Sequence, residues 1–350
     1  MPEMSHREQA ARLGEYVKGF HAVHLVNIGT RLGLFARLAE SARLAESPGG
    51  MTAAALAESL TLHPPYVEVW CKTAYAYALL DADGEDVFRL APHIGDLLGD
   101  PSHPRYIGAY HTAAVAHFGP DMERYPEFFR TGETHPFQAH GEDFTRAVAA
   151  LNEGFHLVTV RKILPSLPGV GGMLEAGARI LDMGCGAGGL LIKLASAFPA
   201  CTCVGVDVDP HAIPLARRAV EEAGLAGRVS VEALDGEAFR RKEEVDLVTM
   251  FEVLHEIPEG ARPGVLQNCR EALKPGGLLF ILDETYPSSL ADLRKPEFGF
   301  TVQTAFNEAI WGNVILTREE QEALLAGSGF VDVRRDLVAG AFTLLTARKG

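Results

Sequence analysis

The sequence is poor in three things, and each shortage excludes something. No run of apolar residues approaches the ~18 that a bilayer span requires. The stretch MPEMSHREQAARLGEYVKG is polar and has no apolar signal core, so a cytoplasmic protein without a membrane partner is expected. The five cysteines (Cys71, Cys185, Cys201, Cys203, Cys269) are odd in number and include no C-x-x-C pair. That pattern favours reduced thiols in a cytosol over a disulfide framework or a zinc site. Basic residues are also scarce, 32 Lys and Arg against 46 Asp and Glu, for a net charge of −14. A nucleic-acid surface needs clustered Lys and Arg, so the balance argues against that partner.

What is present is a globular composition, 47% hydrophobic over 350 residues, enough for one large or two ordinary domains. The character changes near residue 150. YVKGFHAVHLVNIGTRLGLFARLAE carries apolar residues at helical spacing. TAAALAESL and PPYVEVWCKTAYAYALL read as helix, turn and helix, with Pro64 and Pro65 near the second start. LLDADGEDVFRL then places Asp-Gly between short apolar runs, a hairpin signal. Helix-turn-helix plus hairpin outlines a winged helix, the DNA-binding form of which needs phosphate contacts. Residues 51–100 hold two basic and eight acidic residues, a balance of −6, which favours a packing or dimerisation module over a ligand-sensing transcriptional regulator.

From about 151 the chain alternates strand and helix: RILDMG, GLLIKLASAF, TCVGVDV, PHAIPLARRAVEEAG, RVSVEAL, VDLVTMFEVL, GARPGVLQNCREAL, GLLFILDE. Alternation of this kind makes a parallel sheet covered on both faces. The end departs from it. VDVRRDLV and AFTLLTARK are separated only by Ala-Gly, too short for a parallel crossover, so the last strand must be antiparallel.

The loop ILDMGCGAGG admits two readings. Gly184, Gly186 and Gly189 make G-x-G-x-x-G, which holds a dinucleotide pyrophosphate. Asp182, Gly184, Gly186 and Gly188 make D-x-G-x-G-x-G, which suits S-adenosylmethionine. Three features separate them. A carboxylate at Asp182 repels a pyrophosphate and suits an ammonium. Asp207 ends the next strand, where an acidic residue bonds ribose hydroxyls, and Asp235 in LDGEAF is placed to accept from an adenine amino group. The antiparallel ending is not that of a dinucleotide fold.

Together ILDMGCGAGGL, VGVDVDP, EALDGEAF and LKPGGLLFILDE resemble the class I S-adenosylmethionine-dependent methyltransferases, over roughly residues 178–350. The resemblance implies an α/β fold, a Rossmann-like seven-stranded sheet whose last strand is antiparallel and inserted between the fifth and sixth. It implies a cofactor clasp of Asp182, Gly184, Cys185, Gly186, Gly188, Asp207, Val208, Asp235, Gly236 and Phe251. The helical, winged-helix front half, 1–150, joined to a catalytic domain, 151–350, resembles the small-molecule O-methyltransferases. In that family the N-terminal helices interlock two subunits and wall the partner's pocket, which implies a homodimer. LNEGFHLVTVRKIL resembles the family's helix ahead of the first strand, which borders the cofactor, and His156 on it is expected to bind substrate.

Methyl transfer to a hydroxyl needs an aligned nucleophile and removal of its proton. His255 in MFEVLHEIPEG follows the fourth strand of the alternation, where related O-methyltransferases carry a catalytic His followed by Asp and Trp. Here Glu256 and Ile257 follow, which departs from that pattern. Asp283 and Glu284, at the end of the fifth strand, share the sheet edge; with Glu256 they are the candidate catalytic acids, and since alternation sends the two to opposite faces, one of them is expected to orient His255 or contact substrate. In KPEFGFTVQTAFNEAIWGNVIL, Gln303, Phe306, Asn307 and Trp311 are expected to roof an acceptor pocket suited to a flat apolar molecule. His111, His117, His135 and His140 match no metal spacing, and no metal is expected. The expectation is methyl transfer to oxygen of a small acceptor, with a C- or N-methyltransferase, metal-assisted through His255 and Glu256, as the alternative.

Overall fold

The structure, a computed structural model, describes residues 4–44 and 49–350; the first three residues of the polar N-terminal stretch lie outside them. They divide into two compact units, 1–120 with 153–155, and 121–152 with 156–350. Residues 121–152, which the sequence pattern groups with the helical front half, cluster with the sheet instead.

In the first unit a long helix, His6–Arg31, opens on a capping box: Ser5 accepts from the Glu8 amide and the Glu8 side chain accepts from that of Ser5. Helices Ala53–Ser59 and Pro64–Ala76 follow as the helix-turn-helix. Strands β1 (Met51–Thr52), β2 (Leu80–Asp83) and β3 (Val87–Leu90) form a small antiparallel sheet in the order β1-β3-β2. Phe35, Leu56, Trp70, Cys71 and Phe88 fill its core, and the Trp70 indole donates to the Leu25 carbonyl at 3.0 Å. The winged-helix outline is therefore present.

The second unit is built on β4 (Arg179–Met183), β5 (Thr202–Asp207), β6 (Val229–Ala233), β7 (Val245–Phe251), β8 (Leu273–Asp283), β9 (Phe330–Val338) and β10 (Phe342–Lys349). Their order is β6-β5-β4-β7-β8-β10-β9. Strands β4 to β8 are parallel, while β10 runs antiparallel to both β8 and β9. The link between β9 and β10, three residues (339–341) where the sequence pattern gives two, dictates this, as expected. Leu181, Val248, Leu279, Ile281 and Leu345 belong to one buried cluster across the sheet, each stabilising the fold by roughly 1.5–3 kcal/mol. The order reverses between β4 and β7, so the C-terminal ends of β4, β5, β7 and β8 frame the crevice where open α/β sheets bind ligands.

Candidate active site

Two clusters meet at that sheet edge, a glycine turn after β4 and a carboxylate-rich group around His255 after β7. At the turn, Gly184 (φ +74°) is held against Val253; a Cβ there would meet the Val253 side chain at 2.4 Å. This contact packs the loop carrying His255 directly onto the glycine turn. Gly186 (φ +52°) would aim a Cβ into open space, leaving room for a ligand to approach the backbone. Asp207 accepts the amides of Gly186 (2.7 Å) and Asp209 (2.8 Å), so its carboxylate braces the loop and retains lone pairs for another donor. Asp209 accepts from the amide of His211 and from the Thr145 hydroxyl, making the turn ahead of the helix Ala212–Glu222.

Asp182 lies opposite Thr249 in the β4–β7 register and accepts its hydroxyl at 2.6 Å. Only 2% of it is exposed, and burial, against the Thr249 bond, lifts its carboxyl to about 7. Asp207 is likewise raised, first by burial. Two carboxyls already short of solvation would be pushed higher by a pyrophosphate and relieved by a cation. The turn therefore fits the ammonium-bearing S-adenosylmethionine and not a dinucleotide. Beside it, His156 packs edge-on against Phe251 (centroids 4.4 Å apart), with Nδ1 2.9 Å from where a Cβ on Gly189 would stand. Burial and then the Lys193 charge drop its imidazole to about 3, which keeps it neutral. His156 thus belongs beside the glycine turn. Cys185 and Phe251 are buried, Val208 and Asp235 are exposed at the rim, and the Gly236 carbonyl accepts from Asn268.

His255 is 3% exposed, and its Nδ1 lies 2.6 Å from Asp283 Oδ1, while its amide donates to Asp283 Oδ2 at 3.2 Å. Asp283 thus fixes ring and backbone together, with Nε2 turned the other way. Nε2 lies 3.9 Å from Glu308 Oε1. Burial alone would lower the imidazole's pKa; Asp283, with Glu308 and Glu256 behind it, reverses this and holds it well above the usual range. The guanidinium of Arg262 clamps the loop, donating to the carbonyls of His255, Ile257 and Val314.

Around this pair stand four more acids. Burial pushes Glu256 up to about 8, with Glu308 adding to it, and Glu284 up to about 7 against the bonds from Thr304 and Thr301. Glu252, at φ +57° just past β7, is also held well above its ordinary range by burial and by Asp283. Among the described residues, Glu252 Oε1 and Glu284 Oε2 are buried without a hydrogen-bond partner. Such orphaned acceptors at a sheet edge await a donor or a cation.

The helix Gly299–Trp311 lies over this edge through Glu308. Of the residues expected to roof an acceptor, Gln303 and Phe306 are exposed and Asn307 is half-buried. Trp311 is buried, and its indole donates to Asp121 at 2.8 Å. Glu308, held by Asn313 at 2.6 Å, was not singled out from sequence. Its signal was available: it is the one acid in the apolar helix GFTVQTAFNEAIW. Thr249, a hydroxyl inside the strand VDLVTMF, gave the same kind of signal.

Residues 180–277 match the methyltransferase-domain family. The chain is 30% identical over 189 residues to the 3-hydroxy-5-methyl-1-naphthoate 3-O-methyltransferase of Streptomyces sahachiroi, covering 52% of this chain and 53% of that protein. It is 34% identical over 106 residues to the ubiquinone biosynthesis O-methyltransferase of Xanthomonas euvesicatoria, covering 30% of this chain and 43% of that one. The matches thus span about half, or less, of these curated relatives. Among solved structures, human N-acetylserotonin methyltransferase, determined with S-adenosylmethionine, superposes with a TM-score of 0.77 at 20% identity, covering 99% of this chain and all of that one. The pyocyanin biosynthetic protein PhzM gives 0.75 at 20% identity, covering 98% and 99%. At that identity these likenesses establish the fold.

Proposed function

We propose that this chain, a member of the methyltransferase-domain family through residues 180–277 with the class I fold around them, methylates a hydroxyl on a small aromatic or natural-product-like acceptor. The observation that carries the reading is the buried His255–Asp283 pair with Nε2 turned away from its carboxylate. Asp182, Asp207 and the turn of Gly184 to Gly188 would hold S-adenosylmethionine, with Val208, Asp235 and Phe251 around its adenosine and methionine ends. When bound, it supplies a methyl group on a positively charged sulfur. The chain's own residues do the rest. His255 Nε2 accepts the acceptor's hydroxyl proton, Asp283 orients the ring and stabilises the imidazolium, and Glu308 steadies the new N–H. The naphthoate relative, by its name, methylates an aromatic hydroxyl, which supports the same acceptor class here.

The test separates binding from chemistry. His255→Ala should keep the affinity for S-adenosylhomocysteine measured by calorimetry while turnover on a phenolic acceptor falls by about 10²–10⁴-fold. Unchanged turnover would remove His255 as the base, and no calorimetric binding to the wild type would remove the methyltransferase reading.

A second reading has its own support. Ligand atoms of His255, Glu256 and Glu308 all lie within 4.8 Å of one another, the donor set of a divalent cation. It would favour metal-assisted methylation at carbon or nitrogen, distinguished by product NMR and by loss of turnover on chelation. We also read the protein as a cytoplasmic homodimer. Leu13, Tyr16, Val17 and Phe20 are 61%, 65%, 59% and 61% exposed on the helix His6–Arg31. Their i, i+3, i+4, i+7 spacing makes one apolar stripe, suited to a second copy.

A further inference from the structure

We propose that Asp121, His135 and His140 form a binding site for a divalent cation of the zinc class, separate from the cluster around His255. The idea is independent of methyl transfer. The three residues are dispersed in sequence, but one ligand atom from each lies within 4.8 Å of the others. Zinc holds its nitrogen and oxygen ligands at about 2.0–2.2 Å, which places tetrahedral neighbours roughly 3.4 Å apart. Binding would draw these atoms in to that spacing, with a water at the fourth position.

The surroundings of His140 point the same way. Its Nδ1 lies 3.2 Å from the Pro136 carbonyl and 3.1 Å from the Phe137 carbonyl, contacts of the kind that orient a metal-bound imidazole through the nitrogen that does not bind the ion. The other nitrogen, Nε2, lies 2.8 Å from Asp121 Oδ2, and that oxygen also accepts the Trp311 indole. The pair is buried, with Asp121 6% and the His140 side chain 7% exposed. The His135 ring meets His140 edge-on, with centroids 4.2 Å apart, so one ion could recruit both imidazoles. Arg124, whose charge also reaches His135, is turned over the Phe128 ring at 4.7 Å. His135 is half-buried and leaves a way in from solvent.

The site would pin the 132–141 segment to the helix that presents Glu308. His135 already donates its amide to the Ile310 carbonyl at 2.7 Å, and Asp121 holds Trp311. The experiment uses tag-free, chelator-treated full chain, titrated with Zn²⁺ by calorimetry and with Co²⁺ by visible absorption, alongside His135→Ala and His255→Ala. One equivalent is expected to bind tightly and raise Tm. His135→Ala, which leaves the Asp121–His140 contact intact, should weaken that equivalent at least tenfold, and His255→Ala should leave it unchanged. Equal binding by His135→Ala and wild type, or loss only in His255→Ala, would overturn the proposal.

Discussion

At the residue scale, the site is a group of acids short of water. Asp182 shows what this means for stability. An aspartate in the unfolded chain ionises near ~3.9, whereas burial holds Asp182 at about 7. Between those values the folded protein keeps a proton the unfolded chain has lost, so stability falls as pH rises across that window. Asp182→Asn should therefore raise the Tm of ligand-free protein at pH 8 while weakening S-adenosylhomocysteine binding, read by thermal shift and calorimetry. His255 carries the same sign, at a higher pH than an ordinary histidine. Its raised value stabilises the fold at low pH, and that contribution is lost as pH rises through the folded value. Activity requires the neutral ring, so the rising limb of the pH–rate profile should lie above the ordinary histidine range. Asp283→Asn removes the charge that lifts it; the limb should move to lower pH while kcat drops by about 10²–10⁴-fold. An unmoved limb would show that the limb reports another group.

At the element scale, strand ends do the positioning. β7 brings Thr249 to Asp182 and passes through Glu252 into the loop of His255, while β8 ends on Asp283 and Glu284. Behind β8, the helix Arg318–Gly327 contributes Gln321, 1% exposed, which donates to the Glu284 carbonyl at 2.7 Å and accepts from Thr285 and Arg335. Gln321→Ala takes the donor from the buried Glu284 carbonyl, so it should cost about 1–3 kcal/mol in urea unfolding and lower turnover by loosening Glu284. These elements were legible because strand–helix alternation and a short final turn leave few topologies open. What was not legible was the reach of the lid helix: Glu308 and Trp311 sit three residues apart, yet one turns to His255 and the other to Asp121.

At the scale of the whole molecule, the exposed stripe on His6–Arg31 is the feature with the plainest consequence. Leu13→Glu combined with Phe20→Glu should convert a dimer to monomer in sedimentation velocity and leave the far-ultraviolet circular dichroism of the fold intact. A wild-type chain that sediments as a monomer at all concentrations would remove the dimer. The winged-helix outline in the same unit carries eight acids against two bases over residues 51–100, too negative for a phosphate backbone.

The sequence by itself determined the sheet, its antiparallel end, and the acidic glycine turn. These follow from local rules: apolar periodicity, loop length, and backbone conformations that only glycine adopts readily. The identity of the second acid facing His255, the burial that lifts Asp182 and Glu284, and the meeting of Asp121 with His135 and His140 were decided by tertiary structure. Each depends on distance and desolvation between residues not adjacent in the chain, and no local pattern encodes the space between two side chains.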